Sequence, residues 1–166
     1  MAGALQSIMD DEQYRQTREA IDSPPCLYGK AVQYGYFMCQ HAHSITLGER
    51  EAMHCQHMQG YANCKEYYFL SLEKSGFALG TTPLPAHLTF NKAMQVQIGG
   101  LQGVMNIAGV AESEGPSKKP VPAADIANCF RRLKATTADF KHLNFSRVVP
   151  YIQRFSLRKH GRGEPS

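Results

Sequence analysis

The chain has no hydrophobic run long enough to cross a membrane. None of its apolar stretches approaches the ~20 residues that a transmembrane helix needs. The first eleven residues also lack the basic start and the long apolar stretch of a signal peptide. We therefore expect a cytoplasmic protein with no membrane partner, whose cysteines stay reduced rather than pairing in disulfides.

Signatures of nucleotide binding and of nucleophilic catalysis are also missing. Gly99, Gly100 and Gly103 are not followed by Gly-Lys-Ser/Thr, and the spacing Gly-x-Gly-x-x-Gly does not occur. Cys55 and His54 would point about 100° apart on a predicted helix, so they would not form a catalytic dyad. We expect the glycines to permit close helix packing, inside the protein or against another chain. The sequence therefore does not predict an enzyme.

The length and composition are those of one globular domain. The chain has 166 residues, of which 43% are hydrophobic and 19% charged. A chain of this size buries enough surface to fold without a metal. A metal centre, if present, therefore serves a function beyond holding the chain together.

Positive charge is concentrated towards the C-terminal end. Residues 1–115 carry seven basic and eleven acidic side chains, whereas residues 116–166 carry eleven basic and three acidic ones. Such an excess suits an acidic protein surface or a nucleic acid, or else it is a solvated helix face and tail. Aromatic residues are not interleaved with it as in single-strand binders, so nucleic acid is the less favoured partner. The basic residues include Arg131, Arg132, Lys134, Arg147, Arg154, Arg158, Lys159 and Arg162.

Start and stop signals predict a mostly α-helical fold. Thr46 and Glu49 match a capping box at the start of a helix, and Thr89 can cap another, although Met94–Ile98 would also suit a short strand. We expect a cysteine-rich domain at residues 1–111, a linker at 112–122 and a basic helical part at 123–166. The predicted helices cover residues 11–21, 47–58, 63–74, 90–110, 122–135 and 145–157, with Ser75-Gly76 ending the third and a loop from Cys26 to about Gly35.

Four of the five cysteines lie within 39 residues, separated by twelve, fifteen and eight positions. Iron–sulfur clusters are commonly held by four thiolates, which must approach from separate directions. Cysteines on loops and at helix ends can do so, and the predicted elements place these four there. The fifth, Cys129, lies on an apolar helix face and is predicted to be core. The predicted ligands are Cys26, Cys39, Cys55 and Cys64.

Two other interpretations of the cysteines stay open. Free cysteines are often small buried core residues. A zinc site would draw on the nearby histidines, but the tight Cys-x₂₋₄-Cys and His-x₃₋₅-His pairs typical of zinc are absent. For a cluster, the long spacings favour 4Fe–4S over 2Fe–2S. The histidines that would serve as ligands, as donors to them or as surface residues are His41, His43, His54 and His57.

The cysteines lie among glycines and aromatic residues. Gly29, Gly35 and Gly60 would let the backbone approach the cluster sulfurs closely. A shell of aromatic side chains would limit water, and burial and hydrogen bonds to sulfur set a cluster's potential. The aromatic residues are Tyr28, Tyr34, Tyr36, Phe37, Tyr61, Tyr67 and Tyr68.

Residues 25–70 resemble small bacterial four-cysteine iron–sulfur segments. One such segment precedes the leucine-rich-repeat-variant proteins of nitrogen-fixing bacteria, but no repeats follow here. The resemblance implies a cytoplasmic protein linked to nitrogen fixation or another iron–sulfur enzyme system. It is carried by Pro25-Cys26-Leu27-Tyr28-Gly29, Cys39, Leu47-Gly48-Glu49-Arg50-Glu51, Cys55 and Asn63-Cys64-Lys65-Glu66-Tyr67-Tyr68.

The leading functional hypothesis is a 4Fe–4S accessory protein that docks on a larger metalloenzyme, such as nitrogenase. It would protect that enzyme, help to mature it or pass electrons to it, and its basic part would meet an acidic partner surface. The alternatives are a stand-alone ferredoxin-like carrier and a zinc-stabilised nucleic-acid-binding module.

Overall fold

The computed structural model describes residues 23–110, 125–137 and 139–157. The predicted helix at 11–21, the predicted linker, and Arg158, Lys159 and Arg162 lie outside these residues. The described part is mostly α-helical with one antiparallel hairpin. Its elements are α1 (Gly29–Gln33), β1 (Ala42–Leu47), β2 (Arg50–Cys55), α2 (Met58–Leu79), α3 (Phe90–Met94), a π-helical turn (Gln95–Gly99), α4 (Gly100–Ile107), α5 (Ile126–Thr136), a 3₁₀ turn (Phe140–His142) and α6 (Phe145–Arg154).

A β-hairpin replaces the helix predicted at residues 47–58, so that prediction is wrong. Leu47 pairs with Arg50 across a two-residue turn, and Gly48 has a φ of 63°. A positive φ at the first central residue of such a turn favours glycine and matches the twist of the flanking strands. The β-branched residues at 45 and 46 suit a strand better than a helix. Cys55 therefore ends a strand instead of lying late in a helix.

Helix α2 is longer at both ends than the predicted 63–74 segment. It begins at Met58 and continues through Ser75 and Gly76, which were expected to end it. Gly80, with a φ of 64°, is the residue that terminates the helix in a left-handed conformation. The Ser75 hydroxyl donates to the Ser71 carbonyl at 2.6 Å, which satisfies it inside the helix.

The long segment predicted at 90–110 is helical, as expected, with a π-helical turn in its middle. Thr89 caps it by accepting from the Lys92 amide at 3.4 Å. Gly99 and Gly103 face α6 so closely that a Cβ on either would lie within 3.0 Å of its backbone. The glycines therefore serve internal helix packing.

Helices α5 and α6 complete the core. Cys129 is 1% exposed beside Phe130, which confirms it as a core residue. Lys134 pairs with Glu66 of α2 at 2.7 Å and lies over the Phe140 ring. Lys134 is therefore engaged within the fold rather than available on a basic surface.

Among the helices of the described residues, none combines the length and apolarity required to cross a membrane.

Candidate metal centre

The four predicted ligands line a single cavity. They reach it from four separate parts of the chain. Cys26 precedes α1, Cys39 precedes β1, Cys55 ends β2 and Cys64 lies in the second turn of α2. The cavity wall includes Cys26, Cys39, Cys55 and Cys64 together with Leu27, Tyr28, His41, Ala42, Gly60, Tyr61, Ile126 and Ala127.

The hairpin holds two of the cysteines in register. The Cys26 amide donates to the Met53 carbonyl at 2.8 Å, and the Cys55 amide donates to the Pro24 carbonyl at 2.9 Å. The segment before α1 thus pairs with β2 like a short third strand. This pairing fixes the separation of Cys26 and Cys55, which lie 29 positions apart in sequence.

Helix α5 fixes the loop that carries Cys39. The Asp125 carboxylate accepts from the Asn128 amide, which caps the helix, and from the Gln40 amide, both at 2.9 Å. The Ile126 amide donates to the Met38 carbonyl, also at 2.9 Å. Cys39 is therefore held from both sides by a helix that begins 87 residues later.

The start of α2 places Cys64 beside a histidine pair. His57 caps the helix, since its Nδ1 accepts from the Gly60 amide at 2.9 Å. Its ring stacks on His41 with centroids 4.2 Å apart. A Cβ at Gly60 would lie 3.1 Å from the His57 ring and 3.2 Å from the His41 ring. Glycine at this position therefore lets the ring pair lie flat against the cavity wall.

Four cysteines on one cavity wall form a donor set that iron–sulfur clusters and structural zinc sites both use. The Cys55 thiol donates to the His57 carbonyl at 3.3 Å. The arrangement is therefore compatible with both interpretations of the four thiols.

The described side chains are not already arranged as a metal site. Within residues 23–110, 125–137 and 139–157, no three His, Cys, Asp or Glu side chains are placed to hold a metal ion. An iron–sulfur cluster would bring its own sulfides to the four thiols.

Burial favours the protonated thiol at Cys26 and at Cys64. It raises the pKa of Cys26 to about 11, and the nearby Cys39 and Cys55 raise it further. Burial likewise raises the pKa of Cys64, with added repulsion from the other three cysteines. Metal binding must therefore release these protons, because the thiolate is the ligand.

Backbone amides lie close to the sulfurs of Cys39 and Cys26. Burial raises the pKa of Cys39, while hydrogen bonds from the amides of His41, Ala127 and Ala42 oppose that shift. The Tyr28 amide acts in the same way on the pKa of Cys26. Amide donors stabilise thiolate charge, and in an iron–sulfur site they also tune the potential.

The histidines take several positions. His41 lines the cavity, and His57 is occupied as a helix cap. His54 is fully buried, and its Nδ1 donates to the Ser23 carbonyl at 2.7 Å. His43 faces it across the hairpin. These positions suit supporting roles around the thiols.

Sequence reasoning missed one wall of the site. Ile126 and Ala127 line the cavity from the start of α5, far from the cysteines in sequence. No local pattern relates that helix to Cys39; only the fold brings them together. The prediction that Cys129 is a core residue indicated which face of α5 is buried. It did not indicate that the start of α5 lies against Cys39.

Comparison with protein-family models, with curated proteins and with solved structures gives no match for this chain.

Proposed function

We propose that this chain binds a 4Fe–4S cluster through Cys26, Cys39, Cys55 and Cys64 and acts as an accessory protein that docks on a larger metalloenzyme. The observation that carries the proposal is the convergence of all four thiols on one cavity. The four-thiol donor set and the amides near the sulfurs of Cys26 and Cys39 also support a cluster. When bound, the cluster supplies one-electron redox chemistry, and the chain's part is to hold it and limit water.

The surface beside the cavity suits a protein partner. Arg131 and Arg132 are exposed on α5, whose first turn forms part of the cavity wall. Met38, next to Cys39, is 57% exposed, and Met58, at the start of α2, is 66% exposed. Methionine and arginine are enriched at protein interfaces. An acidic surface of a metalloenzyme such as nitrogenase would complement this face and approach the cluster.

Metal and sulfide analysis tests the cluster. Protein purified or reconstituted without oxygen should hold about four irons and about four sulfides per chain and be brown. A colourless protein that binds one zinc per chain, or no metal, under the same conditions would contradict the proposal. About two irons and two sulfides would keep the thiol site but replace the 4Fe–4S assignment with 2Fe–2S.

Charge reversal tests the docking face. The variant R131E/R132E should bind purified nitrogenase at least tenfold more weakly than the wild type, because like charges then oppose across the interface. The variant K74E/K92E, with reversals on α2 and α3, is the matched control and should retain binding. All cluster-loaded proteins must be compared at the same ionic strength, since salt screens such contacts. Unchanged binding by R131E/R132E would remove the basic face from the proposal.

A further inference from the structure

The hydroxyl group of Tyr28 is buried beside the thiols with no hydrogen-bond partner among the described residues. The side chain is 1% exposed, and Tyr28 lines the cysteine cavity. Buried tyrosine hydroxyls usually find a partner, because leaving one unpaired costs free energy. Tyr67, equally buried, follows the rule and donates to the Gly100 carbonyl at 2.6 Å. The unpaired hydroxyl of Tyr28 is therefore a donor left over for a group bound at this cavity.

The Tyr28 ring is held in place by its neighbours. Tyr68 meets it edge to face, with centroids 5.8 Å apart, and Phe130 packs at 6.3 Å. The Tyr28 carbonyl accepts from the Val32 amide of α1 at 3.1 Å. A ring fixed by packing and backbone in this way cannot readily swing its hydroxyl out to water.

Tyr28 shares the cavity wall with Cys64 and Cys26. Burial raises the pKa of Tyr28 well above its usual value, and the nearby Cys64, Tyr67, Tyr68 and Cys26 raise it further. A phenol hydroxyl is in any case a hydrogen-bond donor at neutral pH. The acceptors that a cluster would introduce on this side are the Cys64 thiolate and the sulfide beside it.

We propose that the Tyr28 hydroxyl donates a hydrogen bond to a cluster sulfur on the Cys64 side and thereby raises the reduction potential of the cluster. This inference rests on the proposed function. A donor aimed at sulfur stabilises the reduced cluster more than the oxidised one, because the reduced form carries more negative charge. Tyr28 thus tunes and retains the cluster without being one of its ligands.

The variant Y28F removes only the hydroxyl and should still load iron and sulfide fully. We expect its reduction potential to be more negative than that of the wild type, and a chelator to strip its cluster roughly tenfold faster, as when other outer partners of a metal are lost. The matched control is Y68F, which loses a hydroxyl from the ring that packs against Tyr28 but is not part of the cavity wall. It should keep the wild-type potential.

A second readout needs no cluster. In the metal-free protein Y28F removes an unpaired buried hydroxyl, so its urea midpoint should equal or exceed that of the wild type. A fully loaded Y28F with the wild-type potential and stripping rate, or an equal shift in Y68F, would overturn the inference while leaving the cluster intact. A wild-type protein that binds no iron and sulfide would instead overturn the proposed function, and this inference with it.

Discussion

Alanine at Cys64 is expected to leave a folded chain that cannot retain a cluster. Loss of an outer partner of a metal already costs roughly 10–100-fold in affinity, and loss of a direct ligand costs more. Cys64 lies in a long helix that is anchored in the core at Tyr67, so the substitution should remove the ligand without unfolding α2. Iron and sulfide content, the visible absorbance and the far-UV circular dichroism spectrum should be measured together. The iron and sulfide content and the visible absorbance should fall at least tenfold, and the circular dichroism spectrum should stay unchanged.

The matched control for this prediction is C129A. Cys129 is also buried, and burial raises the pKa of its thiol to about 12, but its environment is the apolar core around Phe130. C129A should therefore retain full iron and sulfide while losing about 1 kcal/mol of unfolding free energy. The ligand set would be wrong if C129A lost the cluster, or if C64A kept a full complement of iron.

Alanine at Gly99 should strongly destabilise the whole fold. Its Cβ would lie 2.6 Å from the Ile152 Cα and from the Tyr151 carbonyl oxygen. These are backbone atoms of α6, which cannot rotate away as a flexible side chain would. Helix α6 would have to move outward and expose core, and overpacking of this kind costs roughly 1–3 kcal/mol or more. We expect a loss of about 3 kcal/mol in the free energy of unfolding, measured by urea denaturation of the metal-free protein.

The neighbouring glycine provides the control. A Cβ at Gly100 would meet only the side chains of Ser71, at 3.7 Å, and Ile152, at 3.9 Å, and both are ordinary contacts. Alanine is favoured over glycine inside a helix by about 1 kcal/mol. G100A should therefore be neutral or stabilising, opposite in sign to G99A. If G99A and G100A lost equal free energy of unfolding, the close approach of α6 to Gly99 would not be the cause of the destabilisation.

The hairpin shows where local sequence patterns stop being informative. Thr46 and Glu49 fit a helix capping box, yet Thr46 lies in β1 and Glu49 lies in the turn, next to Gly48 with its positive φ. The strand is favoured over the helix because β2 also pairs with the segment leading to Cys26, whose amide donates to the Met53 carbonyl. That partner lies 27 positions away, so no window along the chain contains the information.

Other parts of the fold were predictable because their signals are local. The Thr89 cap and the apolar spacing after it predicted the long helical segment from Phe90. The periodic face around Cys129 predicted α5 and its buried side. In α2, by contrast, Gly76 matches a helix terminator but lies within the helix, which continues to the left-handed cap at Gly80. Cysteine spacing indicated that the thiols meet; only the fold shows which helix closes the cavity.

The closure of the cavity by α5 has a consequence for the order of biosynthesis. All four thiols have been synthesised once residue 64 is made, but the wall formed by Ile126 and Ala127 and the clamp on the Cys39 loop come more than sixty residues later. Chains emerge from the ribosome with the N-terminal end first. A nascent chain that ends before Asp125 thus lacks this wall and this clamp, and under the proposed function a finished cluster site would form only after residues 125–127 have been translated.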